Sequence, residues 1–448
     1  MKRLTMPHPL ALLVGGIFLA AALTWIIPAG EYDRREDPLT HRSVVVNGTY
    51  HAVEAQPVGP LATLVAVPVG IEKGAGVIFF VFLAGGALLV LDRTGVLRSA
   101  VDALARGLGH REALIVPVFC LLFGTMGAVE NMQEEIIALM PLLLIVSRGV
   151  GFDALTAAAM SVGAAMVGAA FSPFNPFQAL IAQKLAGLAT GSAWPFRMVM
   201  LLLALGLWTT ATMRHALRTR GAREEKAAAP ASTLSRKRAW LVGGIALLSL
   251  ALFIAGVTRW DWGFEEMGAL FFGAGMLAGL VGGLGVTGTA EGFAEGFGQM
   301  AYASLLIGFA RVISVVLEQG RVMDTIVHGL FTPLAHLPVA ASAAGMVAVQ
   351  GLIHVAVPSV SGQAALTMPV LIPLSDLLGM SRQVTVLAYQ TGAGMCELLT
   401  PTNGAMMAVI AAAGVPYGKW VRFALPLVAA LVLGALLFIA LALAINLQ

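Results

Sequence analysis

Two short stretches carry residues that lipid does not favour. "SPFN", Ser172 to Asn175, and "TPTN", Thr400 to Asn403, each interrupt a run otherwise apolar enough to cross a bilayer. Ser172, Pro173 and Asn175 stand where Thr400, Pro401 and Asn403 stand later, at an offset of 228 positions (400 minus 172). Proline removes a backbone donor and clashes with the preceding turn, so each stretch is expected to unwind its helix at mid-membrane. An unwound segment leaves free N–H groups on one half-helix and free carbonyls on the other, which suit an anion and a cation respectively. Two further polar interruptions, "GTMGAVENMQEE" and "VAVPSVSGQ", break long apolar runs in their middles. The expected substrate-binding residues are therefore Asn131, Gln133, Glu134, Glu135, Ser172 and Asn175 in one clamp, and Ser359, Ser361, Gln363, Thr400, Thr402 and Asn403 in the other. A Na+ ion is a candidate near Asn175 and Asn403. The competing reading is that these side chains cap the ends of broken helices.

Ionisable groups within such segments are costly, on the order of 3 kcal/mol for a charge at the bilayer centre. Glu130, Arg311, His354 and Glu397 are the candidates for coupling or charge pairing. Glu130, with Glu134 and Glu135, sits at a polar tip that water can reach. Glu397 and Arg311 interrupt apolar helices, where an Arg–Glu pair or a ligand contact would offset their burial. His354 could carry a proton, since its ordinary pKa lies near neutrality, or could pack as a hydrogen-bonded core residue. Asp376 and His328 fall near predicted helix ends and read as interfacial. No catalytic residue and no bound metal are expected, because motifs such as HExxH are missing, and "GLVGGLGVTGTAEG" lacks the Lys-Ser/Thr of a phosphate loop.

The elements that position these residues follow from composition. With 58% hydrophobic and 11% charged residues, the chain falls well short of the roughly 25% charge that keeps a soluble surface solvated. It reads as an all-α polytopic membrane protein. Single spans are expected at Pro9 to Ile27, Ala75 to Leu91, Pro195 to Met213, Trp240 to Val257, Met267 to Gly285, Met300 to Leu317 and Trp420 to Ile445. Residues 112–148 and 338–378 read as re-entrant helical hairpins, and residues 153–188 and 383–415 as broken helices. Cys120 and Cys396 are the two cysteines, both in apolar segments, and read as packing residues.

Repetition extends beyond the breaks, for Met140, Pro141, Leu143, Ser147 and Gly151 recur at the same offset as Met368, Pro369, Leu371, Ser375 and Gly379. We read a first repeat over residues 1–213, a basic linker over 214–239, and a connector helix with a second repeat over 240–448. Broken helices included, the spans make nine crossings; five precede the second copy, so the copies run in inverted orientation. The Lys and Arg distribution agrees with a cytoplasmic amino terminus: Lys2 and Arg3, then Arg93, Arg98, Arg106, Arg111 and Arg148, then the linker with Arg214, Arg218, Arg220, Arg223, Lys226, Arg236, Lys237 and Arg238, all fall inside. The mixed-charge segment from Glu31 to Gln56 and the carboxy terminus fall outside. The basic linker lacks aromatic interleaving, so nucleic acid is not an expected partner.

Taken together, "MQEEIIALMPLLLIVSRGVGFDALT", "SPFNPF", "VPSVSGQAALTMPVLIPLSDLLGMSRQVTVLA" and "LLTPTNGAMMAVIAAAGVPYGKWVRFALPL" resemble the YfcC family of the C4-dicarboxylate anaerobic carrier (DcuC-like) group, within the ion transporter superfamily. The resemblance covers nearly the whole chain. It implies an inner-membrane homodimer whose protomers each have a scaffold and a transport domain working by an elevator movement, with no cofactor and with C4-dicarboxylates or basic amino acids as solutes. Three positions in two stretches depart from the family's pattern. His354 replaces an asparagine of the second hairpin, and "QTGAGMCE" replaces "QFGDGFTN", exchanging an aspartate for Ala393 and an asparagine for Glu397.

The function expected is an ion-coupled secondary transporter or exchanger of small carboxylate-bearing solutes, driven by Na+ or H+. The acidic residues favour an amine-bearing solute; the group's name favours dicarboxylates. A membrane-embedded enzyme acting on a lipid-linked substrate would need a nucleophile or acid/base pair not found in the sequence, and a passive channel suits closed clamps less well than alternating access does.

Overall fold

Helix Pro9–Ile26 opens on a proline at its first turn, where the missing N–H has no intrahelical partner to lose. It is one of ten helices among the described residues that are long and apolar enough to cross a membrane. The computed structural model describes residues 7–97, 99, 109–221, 234–260 and 262–448. The side chains of Lys2, Arg3, Arg98, Arg106, Arg111, Arg223 and Lys226, part of the positive-inside pattern, lie outside what it describes.

The chain is a mostly helical, multi-pass membrane protein, and three expectations need correction. Helix Pro60–Lys73 was not anticipated, since its central Pro68, with Glu72 and Lys73 at its end, hides a helical period in the sequence. It meets Ala75–Arg93 at Gly74. The span expected at Met300 to Leu317 starts much earlier and runs Gly285–Gln319, 35 residues. One face of its first half, Thr289, Gly292, Phe293 and Gly296, is buried: a Cβ added at Gly296 would lie 2.5 Å from the Gly86 Cα of Ala75–Arg93. Finally, the fold is not wholly α. Residues 30–52 form two antiparallel two-stranded sheets, β1 (Gly30–Glu31) with β4 (His51–Ala52) and β2 (Arg34–Glu36) with β3 (Ser43–Val45), because alternating charged and β-branched residues there cannot supply an apolar helix face.

At the centre lie the two interrupted helices. The first runs Ala154–Ala158, through a π turn Ala159–Gly163, to Ala164–Phe171, and resumes after the break in a π turn Pro176–Leu180 and Ile181–Leu185. The second runs Arg382–Glu397 and resumes as Gly404–Ala412. They cross at Gly394, where an added Cβ would fall 2.5 Å from the Ala170 Cβ. Each is flanked by a helix–turn–helix unit, Ile115–Glu130 with Glu134–Gly149 and Val339–Ala356 with Val360–Leu377. Ile115–Glu130 packs on Ala164–Phe171 and Val339–Ala356 on Arg382–Glu397, while Glu134–Gly149 packs on Gly404–Ala412 and Val360–Leu377 on both Ile181–Leu185 and Arg382–Glu397.

The small sheets rest on Val360–Leu377 and on the short helix Met323–Phe331. Charged contacts fasten them. Arg321 Nε and Nη2 donate to the two carboxylate oxygens of Glu31, each at 2.6 Å, and Asp324 accepts from the Tyr32 N–H and from Arg34 Nη2, both at 2.9 Å. Hydrogen bonding from Arg321 holds the Glu31 carboxyl below its ordinary 4.5. The clamp's stabilisation is therefore complete above that value and lost as pH falls beneath it. Thermal unfolding of wild type and Glu31→Gln is expected to differ near neutral pH and to converge in acid; a constant difference across the range would remove the clamp from the account.

Candidate functional site

The first tip forms because the arm Ile115–Glu130 ends on Asn131 in the left-handed region (φ 55°), which asparagine tolerates better than most side chains. Gln133 then leads into the second arm, whose first turn carries Glu134 and Glu135 where the helix dipole favours negative charge. The second tip turns at Val357 and Pro358, and Ser359 caps the next helix by accepting from the Gly362 N–H at 3.3 Å.

Both tips and the second break surround one cavity of about 280 Å³. Glu130, Asn131, Gln133, Glu134 and Glu135 face it from the first tip, and Ser359 and Ser361 from the second. Thr402 and Asn403 enter from the resumed helix, Glu397 from the end of Arg382–Glu397, and Arg311 from the long helix Gly285–Gln319. Each tip meets the break expected for it: Asn131 Oδ1 accepts from Asn175 Nδ2 at 3.3 Å and from Gln178 Nε2 at 3.1 Å, and Ser359 and Ser361 share the cavity with Thr402 and Asn403. First tip and second break also meet, joined by Gln133 Nε2 donating to Glu397 Oε2 at 2.9 Å. Glu134–Gly149 brings them together by packing on Gly404–Ala412.

The first break spends its polar atoms locally. Ser172 Oγ donates to the Ala128 carbonyl at 2.6 Å and accepts from the Phe174 N–H at 2.9 Å. Asn175 Oδ1 caps the N–H groups of Phe177 and Gln178, while its Nδ2 donates to the Gly127 carbonyl at 2.9 Å and to Asn131 Oδ1 at 3.3 Å. Ser172, Asn175, Gln363 and Thr400 do not line the cavity, and of the first two Asn175 caps the resumed helix while Ser172 ties the break to the first arm. Thr400 and Thr402 share a hydroxyl hydrogen bond of 2.8 Å. Asn403 does both, capping Met406 N–H at 2.9 Å while bordering the cavity. The oxygens of Asn175 and Asn403, offered earlier to Na+, already accept these backbone N–H groups.

His354 is fully buried. Gln363 is oriented by its amide donating to the Gln350 carbonyl at 2.8 Å, so its oxygen accepts from His354 Nδ1, also at 2.8 Å. The other ring nitrogen, Nε2, has no hydrogen-bond partner and lies 3.9 Å from Glu397 Oε1. A bare nitrogen lone pair facing a carboxylate is repulsive, and a proton on either group would relieve that. Two of the positions that depart from the family pattern, His354 and Glu397, are thus neighbours in space.

Sequence reasoning missed Arg197, which is 1% exposed and donates to Gln390 Oε1 at 2.6 Å and Gln383 Oε1 at 3.2 Å. Gln390 in turn donates to the Ser172 carbonyl at 2.7 Å, so Arg197 braces the first break. A lone arginine three residues into an apolar helix was the available signal, as it was for Arg311.

The model of the C4-dicarboxylate anaerobic carrier family, DcuC, matches residues 6–444. The chain belongs to this family. Among curated relatives of this DcuC-family transporter, an Escherichia coli K12 protein named "Putative basic amino acid antiporter YfcC" is 30% identical over 94% of this chain and 93% of its own. A Haemophilus influenzae relative, named only as an uncharacterized protein, is 28% identical over 98% of this chain and 97% of its own. Two solved transporters also align: YdaH of Alcanivorax borkumensis, at 18% identity and TM-score 0.44 over 98% of this chain and 99% of that one, and MtrF of Neisseria gonorrhoeae, at 17% and 0.40 over 97% and 94%.

Proposed function

We propose that this DcuC-family transporter is a secondary carrier whose solute is an amino acid bearing an additional cationic group. The observation that carries the reading is the charge of the cavity: Glu130, Glu134, Glu135 and Glu397 line it against Arg311 alone among the described basic side chains. A dicarboxylate entering would add negative charge to four carboxylates. An amino acid divides its charges instead, its amine against the glutamates and its carboxylate towards Arg311 and the N–H groups that open the helix Val360–Leu377. About 280 Å³ lies just below the usual 300–1,000 Å³ of ligand pockets, which suits a small solute.

The His354–Glu397 pair supplies the coupling: with the cavity empty it keeps a proton, and an arriving amine takes that proton's place beside Glu397. Solute inward is then matched by H+ outward. Alternating access follows from two inverted copies, a reading supported by the packing of Glu134–Gly149 on Gly404–Ala412 and of Val360–Leu377 on Ile181–Leu185, and by the glycine-mediated crossing of the broken helices. We take the elevator movement, the homodimer and an inner-membrane location with a cytoplasmic amino terminus as parts of the same proposal.

Counterflow in proteoliposomes tests it. Preloaded unlabelled arginine or ornithine is expected to accelerate uptake of labelled arginine, and succinate is not. Acceleration by succinate alone would transfer the reading to dicarboxylates, and uptake indifferent to preloading would point to a channel.

A further inference from the structure

A second cavity, of about 540 Å³, opens between the small sheets and the outer face of the second tip. Its wall carries six charged side chains, Glu31, Arg34, Arg42, Glu318, Arg321 and Asp324. Each acid already has a cation: Glu31 is held by Arg321, Asp324 by Arg34 at 2.9 Å, and Glu318 by Lys73 at 2.9 Å. Arg42 is different. It sits at the start of β3, on the turn that follows β2, and its Nη1 donates to the neutral hydroxyl of Ser361 at 3.0 Å, with no carboxylate within 4.0 Å among the described residues. Ser361 also lines the acidic cavity, while its neighbour Gly362 lines this one. The guanidinium therefore stands at the partition between the two spaces.

We propose that this outer cavity is a recognition site for the solute's carboxylate, with Arg42 as the residue that binds it. The proposal rests on the reading that the solute bears a carboxylate. With the three acids neutralised, Arg42 leaves the cavity with net positive character, and a concave, low-dielectric wall concentrates such a field on an approaching anion. The planar guanidinium can hold a carboxylate through two parallel N–H bonds, which a single hydroxyl cannot match. Occupancy would draw Arg42 from Ser361, freeing the second tip beside the helix N–H groups that receive the same carboxylate next. The outer site thus selects for an acid before the inner cavity selects for an amine, which explains how a cavity rich in glutamates is reached by a molecule carrying negative charge.

Ser43 lines this cavity and is exposed, so its replacement by cysteine gives a direct probe of occupancy in the purified full chain. Modification of the S43C thiol by a small charged thiosulfonate, read at that residue by mass spectrometry, is expected to slow when arginine or succinate is added. Agmatine, which keeps the guanidinium but lacks the carboxylate, is expected to leave the rate unchanged. Adding Arg42→Gln is expected to raise the concentration needed for half-protection about ten-fold or more, as loss of a charge-assisted hydrogen bond implies. Protection by neither carboxylate, protection by agmatine equal to that by arginine, or undiminished protection in the Arg42→Gln variant would each overturn the site. Protection without any counterflow would leave the site standing and remove the transport reading instead.

Discussion

Glu397→Gln is expected to raise the half-saturating concentration of arginine in counterflow by roughly 30-fold or more, with the folded protein recovered in normal yield. The side chain is 4% exposed and fixed by Gln133, so the amide that replaces it fits the same space and keeps a partner for Gln133. What disappears is the charge. Removing one partner of a buried, hydrogen-bonded charge pair costs about 2–5 kcal/mol, and the lower end of that range corresponds to the effect stated. A second readout separates coupling from simple attraction. In wild type, arginine should compete with the proton shared by His354 and Glu397, so binding strengthens as pH rises; in Glu397→Gln that competition ends. The other groups facing this spot, Glu130, Glu134, Glu135 and Arg311 across the cavity and Tyr389 and Cys396 on the same helix, are unchanged by the substitution. Wild-type affinity and pH profile in Glu397→Gln would end the assignment of this residue as the amine's counter-charge.

Gly127→Ala is expected to be, with Gly168→Ala, among the most damaging single-methyl additions at the described residues. The arm Ile115–Glu130 crosses Ala164–Phe171 so closely that a Cβ at Gly127 would lie 2.0 Å from the Ala165 carbonyl oxygen, and one at Gly168 would lie 2.0 Å from that of Gly124. Both obstacles are backbone, which no rotamer change can move aside. Overpacking a core costs about 1–3 kcal/mol where side chains can shift, and more is expected here. The damage extends to the site, since Gly127 and Ala128 carbonyls anchor Asn175 and Ser172. Size-exclusion chromatography and thermal unfolding in detergent should show lost monodisperse protein or a markedly lowered Tm. Gly434→Ala, which meets nothing within 4 Å, is the matched control and should be neutral or slightly stabilising. Equal stability of the two variants would contradict the close crossing.

Both outcomes bear on how much could be read in advance. The membrane class, the positions of the two breaks and the ends of the two helix–turn–helix units are written locally: proline deletes a hydrogen bond wherever it stands, and a bilayer admits polar residues only where something satisfies them. That is why Asn131, Gln133, Glu134, Glu135, Ser359, Ser361, Thr402 and Asn403 could be named from the chain and are found around one cavity. Helix Pro60–Lys73 is obscured by its internal Pro68, and the small sheets are too short and too charged to show a period.

Tertiary structure alone decided which polar atoms remain available to a solute. Asn175 and Asn403 are the same residue at matching positions and both cap a resumed helix, yet the Asn175 amide is consumed by the arm that passes behind it while Asn403 borders the cavity. Gln133 meets Glu397 across 264 positions, and Arg42 meets Ser361 across 319. The covalent chain states what each side chain can donate or accept. How much of that capacity is left over depends on which helices cross, and crossings are chosen by the packing of the whole molecule.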